Sequence, residues 1–275
     1  MAYTTIDDPS VYFQTVLSTS TGSALTIDTG FKPDWLWTKA RNFARSHELH
    51  DTTRGDNKRL KSDATTAEES YSNYLAFTST GATFGTNHNL GYHTEGATTG
   101  VSWAWKANGG TTSSNDDGSY TSTVQANTTA GFSIVKYGDA SSFSASSPAT
   151  VGHGLGKAPE WIMVKNRDAT DDWACYHVFN GNTHYMILNS NGGKVDNTYW
   201  ADTSPTSTVF SIGTDHKINA STEKYIAYCW TGIEGFSSFG GWDEASNNVR
   251  GPFIHTGFRP KCVMIKMTVT GDNWG

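Results

Sequence analysis

The chain has 275 residues, enough for one large domain or for two ordinary ones that each bury a core. Charged residues make up only 17% and the formal net charge is -6, which excludes a protein whose main task is to grip phosphate backbones. The 28 glycines, the 13% aromatic content and the many Ser, Thr and Asn residues favour strands and turns over helices.

The start, MAYTTIDDPS, lacks the charged-then-apolar pattern of a signal peptide, and no stretch approaches the roughly 20 apolar residues of a membrane helix. A soluble protein made without Sec export is expected, with no membrane insertion. Nucleic acid is an unsuitable partner, since the densest basic cluster is the short KRLK at 58–61.

After an opening strand at VYFQTV (11–16), residues 29–39 read TGFKPDWLWTK. The phrase returns as GLGKAPEWIMVK at 154–165 and as GFRPKCVMIK at 257–266. Pro33, Pro159 and Pro260 occupy the same point of it, and Lys39, Lys165 and Lys266 close it. The register survives further on, because Gly55 and Gly181 each lie 22 residues after the proline. Beyond them FGTN (84–87) matches IGTD (212–215), and VSWAWK (101–106) matches IAYCWT (226–231). Opening strands are expected again at GFSIVKY (131–137) and GFSSFGGW (235–242).

A repeat of about 100 residues is far longer than a solenoid unit, so each copy is expected to be a domain. The boundaries follow: a first unit at 1–107, a Gly/Ser/Thr/Asn-rich linker at 108–130 with an edge strand near SYTSTVQ, a second unit at 131–232, and the start of a third at 233–275. GDNWG at the end lines up with DDWAC of the second unit, so the third copy is expected to continue in a longer protein. The short junction TGIEG (231–235) should couple units two and three stiffly.

Short strands with Gly and Asn turns predict an all-β fold of tandem antiparallel sandwiches of jelly-roll or concanavalin-like type. The consecutive apolar residues of WLW and WIMV suit central strands covered on both faces. The best helix candidate is TTAEESYSNYLAF (65–77), with a Thr cap and early acids.

No catalytic residue emerges. The Glu-x-Asp of a glucanase strand is absent, and the doublets Asp7-Asp8, Asp116-Asp117 and Asp171-Asp172 read as solvated turns. HELHD (47–51) spaces His47 and His50 three apart, so on a strand they face opposite ways and hold no metal. There is no G-x-S-x-G elbow and no Walker loop, SSNDDGS (113–119) lacks the acids of a calcium loop, and no cofactor is implied. Arg54-Gly55-Asp56 aligns with Asn180-Gly181-Asn182, so a turn that needs glycine explains it better than adhesion. Cys175, Cys229 and Cys262 form no C-x-x-C pair, and Cys229 and Cys262 fit small buried hydrophobes.

Aromatic residues are the remaining resource. Trp35, Trp37, Trp103, Trp105, Trp161 and Trp230 lie in strand-like runs and read as core. Trp173, Tyr199, Trp200 and Trp242 lie beside polar turns, where core packing competes with stacking on a glycan.

The start MAYTTIDDPSVYFQTV, the phrase GFKPDW, AWKANGGTTSS (104–114), TTAGFSIVKY (128–137) and VGHGLGKAPEWIMVKNRD (151–168) together resemble uncharacterised virion-associated proteins of marine bacteriophages, including those of cyanobacteria. The resemblance implies tandem concanavalin- or laminin-G-like β domains in a tail, fibre or capsid-surface protein, and it supplies no catalytic residues. The expected function is therefore non-enzymatic: a virion structural component, assembled in the host cytoplasm, that contacts other virion proteins and its own copies. The alternative is a carbohydrate- or receptor-binding lectin-like module that uses those turn-borne aromatics on a host-surface glycan.

Overall fold

In both complete units the repeated phrase turns on a glycine and then enters a central strand. The computed structural model describes residues 4–86, 97–138, 144–242, 253–269 and 274. Gly30 and Gly156 take φ angles of 76° and 71°, a left-handed conformation that costs an L side chain about 1–2 kcal/mol. The strands then begin two residues after the proline, at Trp35 and Trp161. Proline sits outside the ladder, where its missing N–H does no harm.

The first unit contains β1 (Phe13–Thr19), β2 (Leu25–Asp28), β3 (Trp35–Ala40), β4 (Glu48–Asp51), β5 (Lys58–Lys61), β6 (Glu69–Ser70), β7 (Leu75–Phe77), β8 (Gly81–Phe84) and β9 (Thr99–Trp105). The second contains β10 (Ser113–Asn115), β11 (Ser122–Asn127), β12 (Phe132–Gly138), β13 (Ala149–Gly152), β14 (Trp161–Asn166), β15 (Ala174–His177), β16 (His184–Ile187), β17 (Val195–Asp196), β18 (Val209–Ile212) and β19 (Lys224–Trp230). All pairings between these strands are antiparallel, as the sequence predicts.

They form four layers. A large sheet ordered β1-β9-β3-β4-β5-β6 carries the small sheet β2-β8-β7 on one face; a second large sheet, β10-β11-β12-β19-β14-β15-β16-β17, carries β13-β18 on one of its own. The two large sheets then pack on each other through Trp35, Trp37, Leu49, Phe132, Met163, Trp173 and Tyr228. Alternation along β3 sends Trp35 and Trp37 into this shared core while Leu36 and Ala40 enter the first unit's own core. Likewise Trp161 and Met163 of β14 face the shared core, and Ile162 and Val164 face the second unit's core. Both faces of each central strand are thus covered, which is why WLW and WIMV carry no polar alternation.

Four expectations need correction. The segment read as a linker, 108–130, supplies β10 and β11, and β11 pairs along β12, so it is part of the second sheet; the strand expected near SYTSTVQ forms as β11, but it is flanked by β10 and β12 and is not an edge. The helix candidate at 65–77 instead forms β6 and β7: Glu69 pairs with Arg59 of the neighbouring β5, Glu68 with Arg167 just after β14 of the second unit, and Asn73 takes a φ of 52°. Ladder register sets Phe84 opposite Leu25 and Phe210 opposite Val151, so Phe84 corresponds to Phe210 and the FGTN/IGTD match is two residues out. Finally, 235–242 forms no strand; only an isolated bridge joins Ile233 to Ser237.

Within 253–269 the third phrase keeps its turn but not its strand. Gly257 has a φ of 79°, and Thr256 Oγ1 donates to the Phe258 carbonyl at 2.6 Å, as Thr29 Oγ1 does to that of Phe31. Local bonding suffices for this turn, whereas a strand needs neighbours. Cys262, Val263 and Ile265 are exposed, so Cys262 is not the buried hydrophobe expected, while Cys175 and Cys229 are fully buried. Asn87 of FGTN and most of GDNWG lie outside the described residues.

Candidate functional site

The two units share one backbone plan, and between β2 and β8 of the first unit the matching positions of the second lie 126 residues further on. In the first unit Glu48 and His50 of β4, Arg59 of β5 and Tyr74 point into the layer between the large and small sheets, each almost fully buried. At the matching places the second unit has Ala174, Tyr176, Tyr185 and Trp200. The fold is therefore satisfied by a neutral, mainly aromatic filling there, and the charges of the first unit are an addition.

Arg59 is the hub. Its Nη1 donates to Glu48 Oε1 at 2.9 Å and to the Tyr74 hydroxyl at 2.8 Å, and Nη2 donates to the Tyr71 hydroxyl at 2.9 Å. Its Nε donates to Glu69 Oε2 at 2.9 Å. The Tyr74 hydroxyl donates a hydrogen bond to Glu48 Oε2 at 2.8 Å, and the centres of the stacked Tyr71 and Tyr74 rings lie 4.9 and 5.4 Å from the guanidinium carbon. Burial and the Glu48 charge push the Tyr74 phenol far above its ordinary range, so it stays a donor. Among the described residues the hub approaches solvent through the partly exposed Glu69, Lys61 and Tyr71.

His50 completes the group. Its Nδ1 donates to the Lys58 carbonyl at 2.8 Å, which leaves Nε2 without a hydrogen bond and 3.5 Å from Glu48 Oε2. His47 instead meets Trp37 on the opposite face, accepting from Nε1 at 2.8 Å, so HELHD divides its histidines as its spacing predicts. Among the described residues no group of three His, Cys, Asp or Glu side chains could hold a metal ion.

A second polar cluster spans the units. Asp51 accepts from Arg54 Nε and from the Tyr228 hydroxyl, and Arg54 Nη1 reaches Glu68 at 3.2 Å. Glu68 in turn receives Nε and Nη2 of Arg167 from the second unit, both at 2.9 Å. Arg54 is buried in this cluster and Gly55 has a φ of 96°, so Arg54-Gly55-Asp56 is a structural turn that does not offer its arginine to a receptor. Nearby, Gln125 of β11 donates to the hydroxyls of Thr52 and Thr53 at 2.9 and 2.8 Å.

The acid after Pro33 and after Pro159 has a role that the sequence reading missed. Asp34 accepts from the backbone amides of Ala107 and Gly109, and Glu160 from that of Gly232, so each clasps the chain as it leaves the unit's last strand. The closing lysines also bind backbone: Lys39 the Arg45 carbonyl, Lys165 those of Asn166 and Ala169. Burial pushes the Lys165 ammonium down to about 8. Only the recurrence of an acid and a lysine at fixed offsets signalled either role.

Of the glycan-stacking candidates, three are interior, where no glycan reaches them. Trp173 is fully buried in the shared core with its Nε1 on the Lys61 carbonyl at 2.8 Å. Tyr199 stacks on Tyr185 with ring centres 3.9 Å apart, and Trp200 meets Tyr176 edge-on inside the second unit. Trp242 alone is exposed, at 41%. Trp35, Trp37, Trp161 and Trp230 are buried and Trp103 and Trp105 pack against them, as expected of core residues. Asp171 also departs from its solvated-turn reading: it is buried, and it accepts from Asn166 at 2.9 Å and pairs with His216.

A recess of about 800 Å³ lies between the N-terminal segment and the unit junction, with Asp7, Lys157 and Glu234 as its charged lining. Thr4, Thr5, Thr128 and Thr129 supply the hydroxyls of its lining. No helix among the described residues is long and apolar enough to cross a membrane.

Fold and site define an all-β protein of two stacked antiparallel sandwiches with charged side chains buried between layers and between units. The chain belongs to the family described as Domain of unknown function (DUF7483), which matches residues 8–275 in a single span. No curated protein and no solved structure matches it.

Proposed function

We propose that the protein is a non-enzymatic structural component of a bacteriophage particle, a tail, fibre or capsid-surface element. The motifs that resemble marine-phage virion proteins motivate the reading. The observation that carries it is the shared aromatic core, which joins two sandwiches into one body while Arg54, Arg59 and Arg167 and the acids Glu48, Asp51 and Glu68 are consumed in bonds between layers and units. Such a body suits load-bearing and spacing better than turnover, which needs titratable groups facing an accessible cleft.

Quantitative mass spectrometry and immunogold imaging of purified particles test this. A fixed, symmetric copy number per particle is expected. Finding the protein only as a free species in infected cells would overturn the proposal, as would turnover of any marine polysaccharide by the purified chain.

A further inference from the structure

The outer strands of the two large sheets are treated unequally. β6 and β17 have two residues each and β10 has three, too short to template another chain. β1 has seven, reads FQTVLST, and holds no charge, proline or glycine. It pairs with β9 along one side, and among the described residues no strand lies along the other. Among the described residues, none of the devices that keep sheet edges apart is present along Phe13–Leu17 of this edge.

The second unit shows what such an edge accepts. Phe132 is opposite Trp230 in β12 as Phe13 is opposite Trp105 in β1, so the two strands are counterparts. The outer side of β12 is paired with β11 from Thr123 to Asn127. We infer that the outer edge of β1 is a self-association surface, which pairs antiparallel with β1 of a second copy and continues the large sheet from one chain into the next.

A two-fold axis at Thr15 sets Phe13 opposite Leu17 of the second copy and Gln14 opposite its Val16. Phe13 and Leu17 lie on one face of the strand, and Leu17 is 63% exposed in the single chain. The partner's phenylalanine would cover it, an aromatic–aliphatic cross-strand pair that antiparallel sheets favour. With no charged residue in the strand, the two-fold brings no like charges together. Five residues of edge are well short of the roughly 1,200–2,000 Å² of a stable interface, so the contact is weak alone and gains strength where many copies are arrayed. This inference stands without the virion reading.

Sedimentation of the purified chain over a wide concentration series, with amide exchange at both ends, tests it. A reversible monomer–dimer equilibrium is expected, with β1 amides from Phe13 to Leu17 protected further as dimer forms. Leu17→Lys, at a site too exposed to disturb folding, should weaken association at least tenfold with unchanged thermal stability, and Leu17→Tyr should strengthen it. A monomer at every concentration would overturn the inference. So would a dimer indifferent to Leu17→Lys, or β1 amides fully protected in the monomer, which would mean the chain covers its own edge.

Discussion

The Tyr228 hydroxyl of the second unit donates a 2.7 Å hydrogen bond to Asp51 Oδ2 of the first, inside the core that the two units share. Asp51 also holds the buried Arg54, so one carboxylate serves both a fold-internal ion pair and the contact between units. Tyr228→Phe should cost about 1 kcal/mol, one hydrogen bond with the ion pair left intact. Asp51→Ala should cost about 3–5 kcal/mol because it strands the Arg54 charge. Chemical denaturation followed by fluorescence checks both, and both units should unfold in a single transition. Two separated transitions would contradict a shared core.

The Arg59 hub can be compared with the second unit's solution of the same layer. Glu48→Ala or Arg59→Tyr alone should each lose about 3–5 kcal/mol, since each leaves a buried opposite charge unpaired. Introducing the second unit's residues together, as Glu48→Ala, His50→Tyr, Arg59→Tyr and Tyr74→Trp, should recover most of that loss. The comparison is made by urea midpoints. A quadruple variant worse than the sum of the single ones would show that the charges are required by the first unit's packing.

Gly30→Ala and Gly156→Ala should each destabilise by about 1–2 kcal/mol through backbone conformation alone. No atom lies within 4 Å of a Cβ added at either glycine, so a steric cause is absent. Thermal melts of the two variants should fall by similar amounts. A neutral result at either site would separate the two turns.

Acid should loosen the fold in two windows. His153 accepts from the Leu155 amide through Nδ1 and donates to the Thr206 carbonyl through Nε2, so it is neutral, and burial pushes its value down to about 4 from an ordinary 6.5. The unfolded chain binds this proton first, so the contribution is complete above 6.5 and is lost as pH falls towards 4. Burial alone would raise the Glu68 carboxyl, but hydrogen bonds from Arg167 and the charge of Arg54 outweigh it and hold it below its usual 4.5. Its contribution is present above that value and disappears as pH falls through the depressed one. In denaturation measured against pH, His153→Gln should flatten the upper slope and Glu68→Gln the lower one.

Much of the fold was legible because its signals are local. Gly and Pro at fixed offsets mark the turn and strand entry, and the unbroken apolar runs of 35–37 and 161–164 mark strands covered on both faces. The charged hub was less legible: Glu48 and His50 were visible in HELHD, but Arg59, Glu69 and Tyr74 join them only through strand pairing and a loop return. Trp173, Tyr199 and Trp200 misled because polar neighbours in sequence say nothing of the sheet that packs above a ring.

By itself the sequence determined the strand content, the antiparallel class and the repeat that counts the units, since these depend on side-chain period and on turn residues within a few positions. Tertiary structure decided the rest. It alone laid one large sheet on the other, drew the segment between the units into the second sheet, and filled matching layers with charge in one unit and aromatic rings in the other. Those outcomes depend on contacts between residues far apart in the chain, where burial and pairing outweigh local preference.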